Sequence, residues 1–278
     1  MNIGPIIVTG MHRSGTSLVS RLLILNNVFL GSKIDVNYES VYFQRINKWI
    51  LSCNGSTWDN PISLNHLNGS DKKILHQKLM NVICNRFTNS LYFGFSNILL
   101  NNSFYNQKKL WGWKDPVNIF TACLWKEIYP NCKIINITRS PLNVSKSLLM
   151  RQKKLQNIDM NVQEKIFSFF LPVISINKGG ILSSFKLSSI NDCLILYKKY
   201  LNQMEINNTE FNKNILNITY ESLLDNSEFV LSEIFDFCNI SKQNINNSLK
   251  IIDKSKFKKN DDELTYDIKL LDDLEINF

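Results

Sequence analysis

A short apolar run rich in β-branched residues, Pro5-Ile-Ile-Val-Thr9, leads into Gly10-Met-His-Arg-Ser-Gly-Thr-Ser17. Leu18, Val19, Leu22 and Leu23 then recur at helical spacing. The first stretch has the composition of a buried strand and the last the period of a helix. A strand that passes through a glycine-bracketed loop directly into a helix opens a βαβ unit, and such units build parallel sheets covered by helices on both faces. The loop also carries chemistry. Successive backbone N–H groups and the start of the following helix form a cradle for an anion. Thr16 and Ser17 add hydroxyl donors.

The pattern returns. Lys133 to Thr138 reads as a strand, followed by Arg139-Ser140-Pro141 and a helix from Leu142 to about Arg151. Pro141 suits the first helical turn, where its missing N–H costs nothing. Leu110 to Trp113 reads as a short strand ending at Lys114-Asp115-Pro116, with a helix from about Asn118 to Ile128. Ile215 to Tyr220 is another strand, with a helix around Ser227 to Cys238. Residues 41–100 and 157–207 read mainly helical. With no repeat, linker or boundary in view, residues 1–278 are expected to form one α/β domain. Its form would be a three-layer sandwich around a central parallel sheet, with helical insertions. Residues 250–278, which open on a basic stretch over 250–259, are expected as a peripheral tail.

Composition narrows the function. The chain is 44% hydrophobic and 20% charged, enough for a sizeable core, and its 10 glycines and 6 prolines are too few for a disordered or collagen-like chain. Six cysteines form no C-x-x-C pair, and with three histidines there is no zinc-ligand spacing, so no metal is expected. Scattered thiols fit a reducing compartment. The N-terminus lacks the pattern of a signal peptide. No apolar run reaches the roughly 18 residues of a membrane span, since residues 166–176 are too few and contain Pro172. The expectation is a soluble, cytoplasmic protein. A net charge of +8 favours an anionic ligand. It does not by itself exclude nucleic acid, but no helix-turn-helix, RRM or zinc-finger pattern is present, and no nucleic-acid partner is expected.

The loop has the spacing of a Walker A motif, yet Thr16 stands where the lysine belongs and Arg13 is the cation instead. A kinase or NTPase needs that lysine on its phosphates, so an ATP–magnesium enzyme is the second reading. Met11-His-Arg-Ser-Gly-Thr-Ser17 resembles the 5′-phosphosulfate loop of sulfotransferases that use 3′-phosphoadenosine 5′-phosphosulfate (PAPS). Arg139-x-Pro141 with Ser147 resembles that family's 3′-phosphate motif, Tyr220-Glu221-Ser-Leu223 its strand-end motif, and Lys114-Asp115-Pro116 an element of its bacterial members. Asn37-Tyr38-Glu39, with Asn47 and Trp58-Asp59 downstream, is similar to the acidic region of those bacterial proteins. The likeness runs from about residue 5 to about residue 240.

The resemblance implies metal-free sulfonyl transfer from PAPS to an acceptor hydroxyl on a carbohydrate, lipid-linked molecule or small molecule, with a carbohydrate or glycoconjugate favoured. His12, Arg13, Ser14, Gly15, Thr16 and Ser17 would hold the phosphosulfate. Arg139 and Ser147 would hold the 3′-phosphate, and Tyr220 would lie by the adenine. Arg13 would stabilise the leaving oxygen as a fixed charge, with Lys114 the second cation. Glu39 is the favoured general base and Asp115 the next. His12 is set aside because a histidine beside a phosphate tends to be protonated. The chain departs from the family pattern at Leu18 and Val117 and lacks its usual C-terminal basic motif; Lys256, Lys258 and Lys259 read as a solvated run.

Overall fold

The computed structural model describes residues 3–95, 103–156, 184–252 and 267–275. Strands β1 (Ile6–Thr9), β2 (Gly112–Lys114), β3 (Lys133–Thr138) and β4 (Ile215–Thr219) form a sheet in the order β2-β1-β3-β4. Every pairing is parallel, and Val8 lies opposite both Lys114 and Ile135.

Alternate residues of a strand face opposite sides of the sheet. Ile7 and Ile134 enter one core with α2 (Val41–Cys53), α3 (Gly69–Cys84), α4 (Arg86–Phe93) and α5 (Asn118–Ile128). Ile6, Val8, Ile135 and Ile137 enter a second core with α1 (Thr16–Leu25). Because both faces are covered, β1 is an apolar run without a polar side, and the chain is an α/β three-layer sandwich. A third cluster joins α6 (Pro141–Gln156) to α7 (Ile190–Phe211) through Leu148, Leu194 and Tyr197.

Towards the C-terminus, boundaries differ from expectation in two places. The last strand stops at Thr219, because the Thr219 hydroxyl accepts from Ser222 N–H in a capping box and starts helix α8 (Tyr220–Asp225). Tyr220 therefore opens a helix instead of closing a strand. Helix α9 (Ser227–Cys238) follows, then α10 (Ile245–Ile251). The expected peripheral tail is in part structural. Helix α11 (Ile268–Glu275) buries Leu271 and Leu274 in the cluster shared with α6 and α7. Residues 157–183, including the run over 166–176, lie outside the described residues, as do Lys256, Lys258 and Lys259. Among the described residues no helix is long and apolar enough to cross a membrane.

Trp111 and Trp113 are both core, with Trp113 stacked on Phe43 at 3.7 Å between ring centres. Beside them sits a buried polar hub. Asn47 Nδ2 donates to Asp115 Oδ2 (2.9 Å) and Asn118 Oδ1 (2.7 Å), while Asn47 Oδ1 accepts from Thr121 Oγ1 (3.0 Å) and Trp125 Nε1 (2.9 Å). One side chain thus binds α2 to α5 and to the end of β2. Removing it strands several buried polar groups, each worth about 1–3 kcal/mol when left unpaired. Asn47→Ala is expected to lower unfolding free energy by about 3 kcal/mol, read as a lower urea midpoint with an unchanged slope.

Candidate active site

The loop after β1 is shaped by backbone that ordinary residues resist. Gly10 (φ 143°) and Gly15 (φ 105°) lie in the region reserved for glycine. A Cβ on Gly10 would stand 2.2 Å from the Ile137 carbonyl oxygen, and one on Gly15 would stand 2.5 Å from the Tyr220 ring. Arg13 also has positive φ (75°). Ser14 Oγ donates back to Met11 O at 2.7 Å, and Thr16 begins α1. The N–H groups at this turn have no side-chain cap, which leaves an anion seat at the helix start.

The turn after β3 lies beside it because β1 and β3 are neighbours. Arg139 Nη1 donates to Arg13 O (3.3 Å), and Arg13 Nε donates to Ser147 Oγ (3.0 Å). Arg139 lies over the Tyr220 ring at 4.7 Å. Tyr197 Oη donates to Arg139 O (2.7 Å), and Ser140 N–H donates to Glu221 Oε1 (3.1 Å). The expected phosphate residues Arg13, Arg139 and Ser147 and the expected adenine neighbour Tyr220 thus form one cluster.

The third strand end brings the acid–base groups. Lys114 Nζ and Glu39 Oε1 form a buried ion pair at 2.6 Å. Lys114 Nζ also donates to Asn37 O (3.3 Å), as does Ser17 Oγ (3.0 Å). Asp35 Oδ1 accepts from the N–H groups of Asn37 and Glu39, both at 2.8 Å, and between them Tyr38 takes positive φ (63°). Gln44 Nε2 donates to Glu39 Oε2 at 2.6 Å. Asp35 and Gln44 escaped sequence reading, although both lie within five residues of Glu39.

Part of this set lines one cavity of about 340 Å³. His12, Arg13, Gly15, Thr16, Ser17 and Leu18 contribute from the turn after β1, Arg139 from the turn after β3, Tyr220 from the end of β4, Lys114 and Pro116 from the end of β2, and Asn37 and Glu39 from the segment before α2. Arg151 of α6 joins them and was not expected. The available signal was its place four residues after Ser147, on the same helical face. Ser14 is buried beneath the loop. Trp58 stands behind it, edge-on to His12 at 5.0 Å between ring centres, and Asp59 is held by the Ser184 hydroxyl.

Burial and the charges of Lys114, Arg151 and Arg13 hold the pKa of His12 well below the ordinary value. Asp115 does not line the cavity. Its carboxyl is taken by Asn47 Nδ2 and by Val117 N–H at 3.1 Å, and burial together with the nearby Glu39 charge pushes its pKa up to about 8. Arg13 and Arg151 have lowered pKa values, first through burial and then through a neighbouring arginine, Arg139 for Arg13 and Arg13 for Arg151. No group of three or more metal-ligating side chains occurs among the described residues.

A family model described as "Sulfotransferase family" matches residues 5–244. Similar solved structures include a sulfotransferase from Alicyclobacillus acidocaldarius, 13% identical over 99% of this chain and 91% of that one, with a TM-score of 0.47. A sulfotransferase from Mycobacterium tuberculosis is 14% identical over 100% of this chain and 77% of that one, with a TM-score of 0.47. A mouse sulfotransferase complexed with PAP is 15% identical over 96% of this chain and 73% of that one, with a TM-score of 0.39. No curated protein matches this chain.

The raised Asp115 pKa makes stability depend on pH. The folded chain retains a proton that the unfolded chain, with an ordinary aspartate near 3.9, releases. Stability should therefore fall as pH rises from about 4 towards 8 and level off above. Asp115→Asn removes that titration. Thermal melts across this range should show a steeper decline for the wild type than for the variant, whatever the variant's absolute stability. Parallel profiles would refute the buried, neutral Asp115.

Proposed function

The chain belongs to the sulfotransferase family, and from that premise we propose that it transfers a sulfonyl group from PAPS to an acceptor hydroxyl on a carbohydrate or glycoconjugate. The observation that carries the donor assignment is the meeting of two anion seats in one cavity. One is the loop over 10–17 and the other is at Arg139, both lining the cavity, and the Arg139–Arg13 and Arg13–Ser147 hydrogen bonds join them to Ser147. PAPS carries a phosphosulfate and a separate phosphate, which needs two such seats at a fixed spacing. Arginine suits both because its planar donors grip phosphate oxygens and its charge survives burial. Residues 1–278 act as one catalytic unit in this reading.

The step is a displacement at sulfur. The bond from sulfur to the bridging oxygen of the phosphosulfate breaks, the bond from sulfur to the acceptor oxygen forms, and adenosine 3′,5′-bisphosphate leaves. Arg13 and the loop amides stabilise negative charge on the leaving oxygen, and Lys114 serves the sulfonyl oxygens. Thr16 and Ser17 supply further donors. Glu39 takes the acceptor proton. It lines the cavity, and its carboxylate has lone pairs beyond those used by Lys114 and Gln44. Asp115 holds the floor of the site through Asn47 and Val117 rather than acting as the base. Tyr220 carries the Arg139 guanidinium on its ring, a supporting role that also sets one wall beside the adenine.

The direct test is thermal stabilisation by adenosine 3′,5′-bisphosphate in EDTA, run beside ATP with magnesium. At 100 times its Kd a ligand adds about 2.7 kcal/mol, roughly 5–10 °C for a chain of this size. A shift with the bisphosphate that disappears in Arg139→Ala is the expected result. A shift with ATP–magnesium alone would replace this reading with that of a kinase or NTPase.

Glu39→Gln keeps an oxygen for Lys114 but removes the base. It is expected to slow sulfonyl transfer by about 10²–10⁴-fold with bisphosphate affinity unchanged. Turnover near the wild-type rate would exclude Glu39 as base.

A further inference from the structure

Basic charge is not spread evenly along the chain. From residue 60 to residue 113 the sole acidic residue is Asp71, against Lys72, Lys73, Lys78, Arg86, Lys108 and Lys109. Six cations against one acid make this stretch a net +5 of the chain's +8. No residue of the stretch lines the donor cavity, so the anion seats do not account for its charge. The stretch holds α3 and α4, which pack against each other. Helix α4 buries Asn89, Ser90, Tyr92 and Phe93 and leaves Phe87 and Leu91 outside. A surface helix ordinarily turns its apolar side inward and its polar side out. Here Phe87 is 77% exposed and Leu91 47%, and residues four apart share one side of a helix. Phe95, just beyond the helix, is 73% exposed. Single exposed apolar side chains are ordinary; neighbouring bulky ones mark a contact surface.

Exposed cations flank these side chains. Arg86 adjoins Phe87 at the start of α4, and on α3 the exposed Ile74 and Lys78 lie one turn apart. Lys108 and Lys109 flank the other end of α4. Leu110 O accepts from Phe29 N–H (3.0 Å), and the Phe29 ring stacks on that of Phe93 at 6.2 Å between centres. The charge selects the partner. A two-fold contact between copies sets the same patch against itself, which here opposes like charges. Nucleic acid would use the cations, but Ile74 and Leu91 offer bases no ring to stack on. An anionic bilayer uses both kinds of side chain, the apolar ones in the headgroup region and lysine and arginine on lipid phosphates. We propose that the α3–α4 face docks this protein on an anionic phospholipid surface, with Phe87 and Leu91 entering the headgroup region between the flanking cations. The face lies apart from the donor cavity, so it stands whether or not the donor reading does.

The test is co-sedimentation of the full chain with vesicles of phosphatidylcholine, alone or with about one third phosphatidylglycerol. At low salt the wild type should bind the anionic vesicles about tenfold or more tightly than the neutral ones. Added salt should weaken that binding, since it shortens the reach of the charges. Phe87→Ser combined with Leu91→Ser should cost about tenfold or more in affinity for the anionic vesicles, the scale of withdrawing two partly inserted apolar side chains. Arg86→Gln combined with Lys108→Gln and Lys109→Gln should cost as much and shrink the preference for phosphatidylglycerol. Phe229→Ser removes a similarly exposed ring from α9, among Glu228, Glu233 and Asp236. It should change binding by less than about threefold. Thermal melts confirm that each variant is folded; if the double variant is not, Phe87→Ser alone and the wild-type lipid and salt dependences decide. No retention on anionic vesicles, equal retention on both kinds, or full retention of the folded double variant overturns the proposal. So does a wild-type dimer, seen by light scattering, that the double variant dissociates, which would assign the face to a second copy. Tighter binding to duplex DNA than to anionic vesicles would assign the cations to nucleic acid and overturns it as well.

Discussion

Val8 pairs on one side with Lys114 and on the other with Ile135, and most of the site follows from that register. Parallel pairing of β1 with both neighbours delivers three strand ends to one edge of the sheet, where open α/β folds place their ligands. Short bonds then fasten the three turns together. Thr9 Oγ1 donates to Pro116 O (3.1 Å), Asp115 N–H donates to Val8 O (3.2 Å), and Arg139 Nη1 reaches Arg13 O. A slip of one residue would send Ile6 and Val8 into the wrong core as well as part these turns. The apolar alternation that stabilises the sheet and the placement of the cations are thus one constraint.

Gathering four cations around a small cavity is costly without an anion, and the residue types reflect this. Arginine keeps its proton under burial and repulsion more firmly than lysine, and among the described lining residues three of the four cations are arginines. The lysine is paired with a carboxylate. His12 responds in the other direction. An imidazole can shed its charge, and the enclosure of this one by Trp58 and Tyr200, together with the charges of Lys114, Arg151 and Arg13, lowers its pKa.

Much of this was legible in the residues because local patterns and tertiary structure agree. Helices α5 and α9 begin and end where their periodicity places them, and Pro141 opens α6. The two phosphate turns could be read because each is local, a strand end followed by a helix start. What escaped depends on contacts between distant segments. The pairing of Glu39 with Lys114 spans 75 residues and that of Asn47 with Asp115 spans 68. No local pattern marks Asp115 as turned inward and Glu39 as facing the cavity. The packing of Leu271 and Leu274 against α6 and α7 is likewise invisible in a polar, acidic terminal stretch. Tyr220 was misplaced for a different reason, since the Thr219–Ser222 capping box ends the strand one residue before the apolar pattern does.

The two carboxylates illustrate how position divides roles. Glu39 and Asp115 lie close enough for the charge of one to raise the pKa of the other, and a single lysine stands beside them. Two negative charges at that spacing in a buried site are not sustainable, so one carboxyl keeps its proton. Lys114 contacts Glu39 directly, whereas Asp115 receives only neutral donors, the Asn47 amide and the Val117 N–H. The carboxyl pushed towards its protonated form is thus the one embedded in the core, while the one paired with Lys114 faces the cavity. Asp35 completes the arrangement by fixing the backbone of Asn37 and Glu39 through Tyr38's strained φ, at a cost of about 1–3 kcal/mol. A positive-φ loop residue, a buried ion pair and a second carboxyl pushed towards its protonated form together hold one carboxylate at the cavity wall beside the loop over 10–17, which is the geometry on which the proposed base rests.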